Sequence, residues 1–142
     1  MIKSIRHTGI VADDLDASLH FYRDLLGFKI TKKMDESGVF IDTILSLPNV
    51  VVTTVKMAAP DGSLIELLKF HSHPRKMNAR KVCDIGITHM ALEVNDLDDA
   101  YKKLKDEGIV FTAPPQVSPD GYAKVTFCSA PEGTSIELVE VL

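Results

Sequence analysis

Two histidines and two glutamates of metal-ligand type occur in this 142-residue sequence as two matching pairs. His7 and Glu66 form the first pair, and His89 and Glu137 form the second. Two neutral imidazoles and two carboxylates balance a divalent cation, and nitrogen and oxygen donors suit Zn, Ni, Co, Mn or Fe(II). Four protein ligands on a six-coordinate ion leave two positions, enough to hold two adjacent oxygens of a substrate.

The two pairs belong to an internal repeat. Residues 7–17 align with residues 89–100, and each stretch carries Asp-Leu-Asp after its histidine. Residues 60–67 align with residues 131–138, and each stretch has a Pro-acid-Gly turn followed by Ile-Glu-Leu. The first copy has additional residues around 37–49. Because both signals recur in the same order, the sequence predicts a duplicated fold.

Each copy is predicted to be a strand, a helix and three further strands, which makes the fold class α+β with two tandem βαβββ modules. Asp14 and Asp96 are predicted helix N-caps, and Gly27 and Gly108 are suited to end the helices in a left-handed conformation. The modules are expected at 1–70 and 85–142, with a polar linker at 71–84. The predicted strands are Ile5–Val11, Phe28–Lys32, Val50–Met57, Leu64–Phe70, Ile87–Val94, Ile109–Thr112, Ala123–Cys128 and Ser135–Val141.

Strand alternation predicts which face of each sheet holds the candidate ligands. Ile65 and Leu67 are expected to pack on the helix, so that Glu66 lies on the opposite face. The same pattern places Glu137 on the helix-free face of the second module, with Ile136 and Leu138 towards the helix. Each module therefore offers one imidazole and one carboxylate on the face that carries no helix.

Composition excludes several functional classes. The net charge of −4 and the lack of a basic stretch give no electrostatic footprint for nucleic acid. No apolar run approaches a membrane span, and the N-terminus lacks the apolar core of a signal peptide. Cys83 and Cys128 are far apart in sequence and suit reduced thiols in a cytoplasmic protein. His71 and His73 form an HxH pattern that a polar linker explains better than a second metal site.

With these motifs the chain resembles the vicinal oxygen chelate superfamily, which includes glyoxalase I and methylmalonyl-CoA epimerase. The resemblance covers nearly the whole chain. It rests on His7, Asp13-Asp14-Leu15, Phe21-Tyr22, Leu25-Leu26-Gly27-Phe28, Ile65-Glu66-Leu67, His89, Asp96-Leu97, Pro131-Glu132-Gly133 and Ile136-Glu137-Leu138.

The resemblance implies a curved, half-open mixed-sheet barrel around one divalent metal held by His7, Glu66, His89 and Glu137. Zn, Ni or Co is expected first, with Mn, Mg or Fe as further options. It further implies a glyoxalase-type lyase or isomerase, similar to lactoylglutathione lyase, that chelates two adjacent substrate oxygens and moves a proton through an enediolate. Glu137 or Glu66 would be the base. A homodimer is expected, with the site either within one chain or across two.

Three alternatives stay open on sequence alone. An epimerase acting on a CoA ester or a cyclitol ketone is the first, although Asn49 stands where an epimerase of this family would carry an acid. The second is a non-enzymatic drug- or ligand-binding protein of the same superfamily. An extradiol-type dioxygenase is the weakest, since Glu66 would fill a position needed for oxygen.

Overall fold

The computed structural model of the chain describes residues 1–77 and 80–142. It divides into two compact units, Met1–Met77 and Asn78–Leu142. The predicted linker at 71–84 includes residues 78 and 79, which lie outside the described residues, so the linker bounds stay a prediction. No helix in the described part of the chain is long and apolar enough to cross a membrane.

The first unit is a four-stranded mixed sheet with helices. Its strand order is β1-β4-β3-β2, in which β1 runs parallel to β4 and the other neighbours are antiparallel. The elements are β1 (Thr8–Val11), α1 (Leu15–Leu19), a π-helical segment (His20–Leu25), β2 (Lys29–Ser37), α2 (Val39–Leu45), β3 (Val51–Ala58) and β4 (Leu64–Phe70).

The second unit repeats this plan with the order β5-β8-β7-β6, in which β5 runs parallel to β8. Neither sheet closes on itself. The elements are β5 (His89–Glu93), α3 (Leu97–Asp106), β6 (Gln116–Val117), β7 (Ala123–Ser129) and β8 (Ser135–Val141). The two tandem modules predicted from the repeat are therefore confirmed.

The predicted caps are present in both modules. The Asp14 side chain accepts a hydrogen bond from the Ala17 amide at 3.0 Å, and Asp96 does the same for Asp99 at 2.9 Å. Each bond satisfies one of the amides that the first turn of a helix leaves free. Gly27, with a φ of 83°, follows the π-helical segment in the left-handed region, as expected for a helix-ending glycine.

Several predicted strand bounds were wrong. The first strand begins at Thr8 rather than Ile5, and β2 continues to Ser37 instead of ending at Lys32. Residues 109–112 form no strand and contribute only an isolated bridge between Phe111 and Cys128. Prolines 114 and 115 follow this stretch and cannot donate to a strand ladder, so the fourth strand of the second sheet is the short β6.

Helix α2 was not predicted, and it fills the additional residues of the first module. Its Ile41 packs in an apolar cluster with Val50 and Val52, which Leu68 and Phe70 extend. The Asp42 carboxylate accepts hydrogen bonds from the Asn49 and Val50 amides at 3.0 and 2.7 Å. The chain is thereby turned back from α2 into β3.

Candidate metal site

The first predicted pair lies together on one face of the first sheet. The parallel pairing of β1 with β4 places Gly9 opposite Glu66, and His7 precedes β1 by one residue. His7 Nε2 lies 3.7 Å from Glu66 Oε1, and the Glu66 side chain is 13% exposed. The structure thus brings one imidazole and one carboxylate into contact, as predicted for this module.

The second pair occupies the equivalent place in the second sheet. Ala91 of β5 lies opposite Glu137 of β8, and His89 begins β5. His89 Nε2 lies 3.2 Å from Glu137 Oε2, and the Glu137 side chain is 22% exposed. The same contact between imidazole and carboxylate therefore occurs in both modules.

The residues on either side of each glutamate anchor it from the opposite face of the sheet. Ile65 and Leu67 are buried beside Glu66, and α1 packs on this strand. Ile136 and Leu138 are likewise fully buried, and α3 packs on β8. Burial of the apolar side chains on either side of each glutamate fixes the face of the sheet on which the glutamate lies, because side chains one position apart point to opposite faces.

The two glutamates differ in the residue that faces them from the neighbouring strand. Lys56 lies opposite Glu66, and its Nζ is 3.5 Å from Glu66 Oε2. Phe127 occupies the corresponding position opposite Glu137, and its ring centroid lies 5.3 Å from that of His89 at an interplanar angle of 73°. The Lys56 ammonium group thus lies beside the second carboxylate oxygen of Glu66, whereas Glu137 has an aromatic neighbour.

The donor atoms of each pair are spaced suitably for two ligands of one ion. Two ligand atoms about 2.1 Å from a metal stand about 3.0 Å apart at a right angle and about 3.4 Å apart at a tetrahedral angle. The contact of 3.2 Å between His89 and Glu137 falls in this range, and the 3.7 Å contact between His7 and Glu66 needs only a small closure. The chemistry of the donors and their pairwise spacing therefore fit a divalent ion.

The structure shows pairs rather than a complete ligand set. Across residues 1–77 and 80–142, no group of three or more His, Cys, Asp or Glu side chains is placed to hold a metal. The four-ligand site therefore stays a prediction, carried by two separately formed halves.

Other candidate side chains have structural partners. His71 Nε2 lies 2.9 Å from the Thr53 hydroxyl, which donates to Asp35 at 2.6 Å. His73 Nδ1 lies 2.8 Å from the Ser72 hydroxyl, so the two histidines of the HxH pattern have different partners. Burial raises the pKa of the Cys128 thiol to about 11, which suits a small buried side chain rather than a nucleophile.

Asn49, noted as standing where an epimerase would carry an acid, occupies a left-handed backbone conformation with a φ of 54°. Asparagine tolerates that region better than most residues, and the Asn49 backbone N–H donates to the Asp42 carboxylate. Its position is therefore explained by the turn between α2 and β3.

The position of Lys56 beside a candidate ligand was not predicted, although the sequence contains a pattern that indicates it. Lys56 and Phe127 each precede the glutamate of their module by ten positions, across the Pro-acid-Gly turn. Writing the two hairpins in register would have placed both residues beside the candidate ligands.

The chain matches the family model described as the Glyoxalase/Bleomycin resistance protein/Dioxygenase superfamily over residues 4–138. It therefore belongs to this superfamily, as the repeated modules and paired ligands indicated. Among similar sequences is a "Probable lactoylglutathione lyase" from Synechocystis, 29% identical over 135 residues and covering 94% of this chain and 92% of that protein.

Solved structures share the fold. A glyoxalase family protein from Bacillus cereus matches all of this chain and 96% of its own, with a TM-score of 0.90 and 23% identity. The fosfomycin resistance protein FosX from Listeria monocytogenes, solved with Mn(II) and sulfate, matches with a TM-score of 0.66 and 12% identity. That match covers 100% of this chain and 95% of the FosX chain. At these identities the likeness concerns the fold.

Proposed function

We propose that this protein is a divalent-metal-dependent lyase or isomerase of the glyoxalase type, acting on a small molecule with two adjacent oxygens. The observation that carries the proposal is the recurrence of one imidazole–carboxylate contact, at equivalent positions, in both modules. A single strand histidine beside a glutamate is a common structural pair. Two such pairs at matching places in a duplicated fold are better explained by a shared ligand.

His7, Glu66, His89 and Glu137 would hold the metal, either within one chain or across a homodimer. When bound, a divalent ion supplies Lewis-acid polarisation of a carbonyl oxygen. Zn, Ni or Co suits these nitrogen and oxygen donors, and Mn, Mg or Fe is also compatible with them. FosX, which shares the fold, was solved with Mn(II), and this supports a divalent ion in a site of this architecture.

Glu137 is proposed as the base that removes a proton from carbon. Lys56 stands against the second oxygen of Glu66 and restrains that carboxylate. The position opposite Glu137 is Phe127, whose ring offers no hydrogen bond, so Glu137 has the contact with His89 but no counterpart of Lys56. Glu137 is therefore proposed as the carboxylate that turns towards a substrate C–H bond, takes its proton and returns it to the adjacent carbon.

Within the proposed class, the favoured activity is that of a lactoylglutathione lyase. The relative from Synechocystis carries the name "Probable lactoylglutathione lyase", and its similarity to this chain extends over nearly its full length. An epimerase of the same superfamily is the alternative. Both activities begin with removal of a proton next to a carbonyl, so one assay addresses both.

The test is exchange of substrate hydrogen with deuterated solvent, followed by NMR on metal-loaded protein. The substrates are the hemithioacetal of methylglyoxal and glutathione, methylmalonyl-CoA and a cyclitol ketone. Exchange that depends on added Zn, Ni or Co, and that disappears in Glu137→Gln, is the expected result. The proposal fails if purified protein binds none of Zn, Ni, Co, Mn, Mg or Fe(II) in a metal titration, since all four proposed ligands would then lack their function.

A further inference from the structure

Two lysines lie side by side on the face of the first sheet that carries Glu66. Lys56 of β3 pairs with Glu66 of β4 and, on its other side, with Lys32 of β2. Residues directly opposite one another in an antiparallel ladder point to the same face. Lys32, Lys56 and Glu66 therefore form one row across three strands.

A bulge in β2 creates this row. The register shifts between Ile30, which faces Met57, and Lys32, which faces Lys56, so that Thr31 is the additional residue. The Thr31 hydroxyl donates to the Lys56 carbonyl at 3.2 Å and ties the bulge to β3. Bulges redirect side chains and are frequent beside functional sites. Here the bulge sets Lys32 on the face of Glu66.

The row of Lys32, Lys56 and Glu66 carries a net positive charge. Like charges directly opposite each other in a sheet are destabilising. Glu66 is the carboxylate that contacts Lys56, whose side chain is only 25% exposed. Among the described residues, Lys32 makes no ion pair. The row therefore combines two ammonium groups with a single carboxylate.

The second module has no such row, although it repeats the fold. Phe127 takes the place of Lys56, and on its other side its carbonyl accepts from the Thr112 amide at 2.9 Å. The corresponding positions of the duplicated module are thus uncharged. The lysine pair is a property of the first module alone, and so is not required by the fold.

We propose that Lys32 and Lys56 form a subsite for an acidic group of the substrate, a carboxylate or a phosphate, beside Glu66. The inference rests on the proposed function and narrows its substrate class to anionic compounds. An ammonium group has three N–H donors, and Lys56 uses at most one of them on Glu66. Lys32 can direct all of its donors to the incoming anion.

The test compares three hydroxamates, which all present two adjacent oxygens but differ in their other end. Acetohydroxamate has no acidic group besides the hydroxamate itself. Malonic acid monohydroxamate has an additional carboxylate, and phosphoglycolohydroxamate has an additional phosphate. Affinity for Co(II)-loaded protein is measured by calorimetry. At least one acidic probe is expected to bind about tenfold more tightly than acetohydroxamate, as hydrogen bonds to a charged group allow. The preference should decrease with added NaCl because salt screens exposed charges.

Lys32→Gln is the decisive variant, because Lys32 does not contact a proposed metal ligand. It should lower affinity for the preferred acidic probe several-fold and leave acetohydroxamate binding unchanged. Lys56→Gln should act in the same direction. Lys33→Gln is the matched control, because Lys33 is the next residue of β2, pairs with buried Val55 and points to the other face. Its affinities should equal those of the wild type.

The outcomes separate the inference from the proposed function. Equal affinity for all three probes, or an equal effect of Lys32→Gln on acidic and neutral probes, would overturn the anion subsite alone. If no hydroxamate binds to metal-treated protein, the proposed metal site fails, and the subsite that rests on it fails with it.

Discussion

Replacing Glu137 by glutamine separates the proposed chemistry from the structure that supports it. Glutamine has nearly the same shape as glutamate, so its neighbours Phe127 and His89 keep their packing. What is lost is the negative charge and the capacity to accept a proton from carbon. Glu137→Gln is therefore expected to fold normally and to lose proton abstraction.

The structure sets the size of the stability effect. The contact between His89 and Glu137 is 3.2 Å long, but the two side chains are 38% and 22% exposed, so that solvent screens the pair. Such contacts contribute up to about 1 kcal/mol, which corresponds to at most about 4 °C in melting temperature for a chain of this length. Loss of a general base, by contrast, slows proton transfer about 10²–10⁴-fold, or about 3–5 kcal/mol in the barrier.

The measurement is the rate of solvent-deuterium exchange into the substrate that wild-type protein turns over, with the melting temperature recorded on the same samples. Glu140→Gln serves as the control on the same strand. Glu140 points to the other face, where its carboxylate accepts from the Leu97 amide at 2.9 Å, so its loss should affect stability more than exchange. Wild-type exchange by Glu137→Gln would refute the assignment of this residue as base and as an essential ligand.

Three further predictions concern metal, thiols and the first module. Zn, Ni or Co at a hundredfold excess over its Kd should stabilise the protein by about 2.7 kcal/mol, or about 8 °C in a thermal melt; a melt of His89→Ala that shifts equally would argue against His89 as a ligand. At pH 8 a disulfide-exchange reagent should label Cys83 rapidly in native protein and Cys128 only after denaturation, because Cys83 is exposed while burial raises the pKa of the Cys128 thiol to about 11. Asp42→Ala should lower the free energy of unfolding by about 1–3 kcal/mol in urea titrations, since two backbone amides lose their acceptor; an unchanged midpoint would show that solvent replaces it fully.

The features predicted correctly from the sequence depend on local chemistry. The caps at Asp14 and Asp96 require only an aspartate before a helical pattern, and both side chains accept the expected bonds. Strands β4 and β8 have the predicted bounds, because Ile-Glu-Leu follows a turn and alternates between a buried and an open face. The contact within each histidine–glutamate pair follows from the same alternation together with the parallel pairing of the first strand.

The features that were missed depend on tertiary contacts. The α2 segment is rich in β-branched and aromatic residues, which favour strands, and it is helical because Ile41 is buried against Val50 and Val52. The bulge at Thr31 is likewise set by the pairing of β2 with β3, which a single strand sequence does not reveal. Burial and register thus override local preference at both places, and both belong to the first module.

The two modules share their ligands and differ in what surrounds them, and this difference bears on function. A duplicated fold needs the buried residues on either side of each glutamate in both copies, and it has them. It does not need a lysine opposite one glutamate and a phenylalanine opposite the other. Since a metal site alone would be served by equivalent surroundings, the divergence supports the separate tasks that we propose for the two modules. The cationic row of the first module suits binding of an anionic substrate, and the carboxylate of the second module, which has no lysine partner, suits movement of a proton.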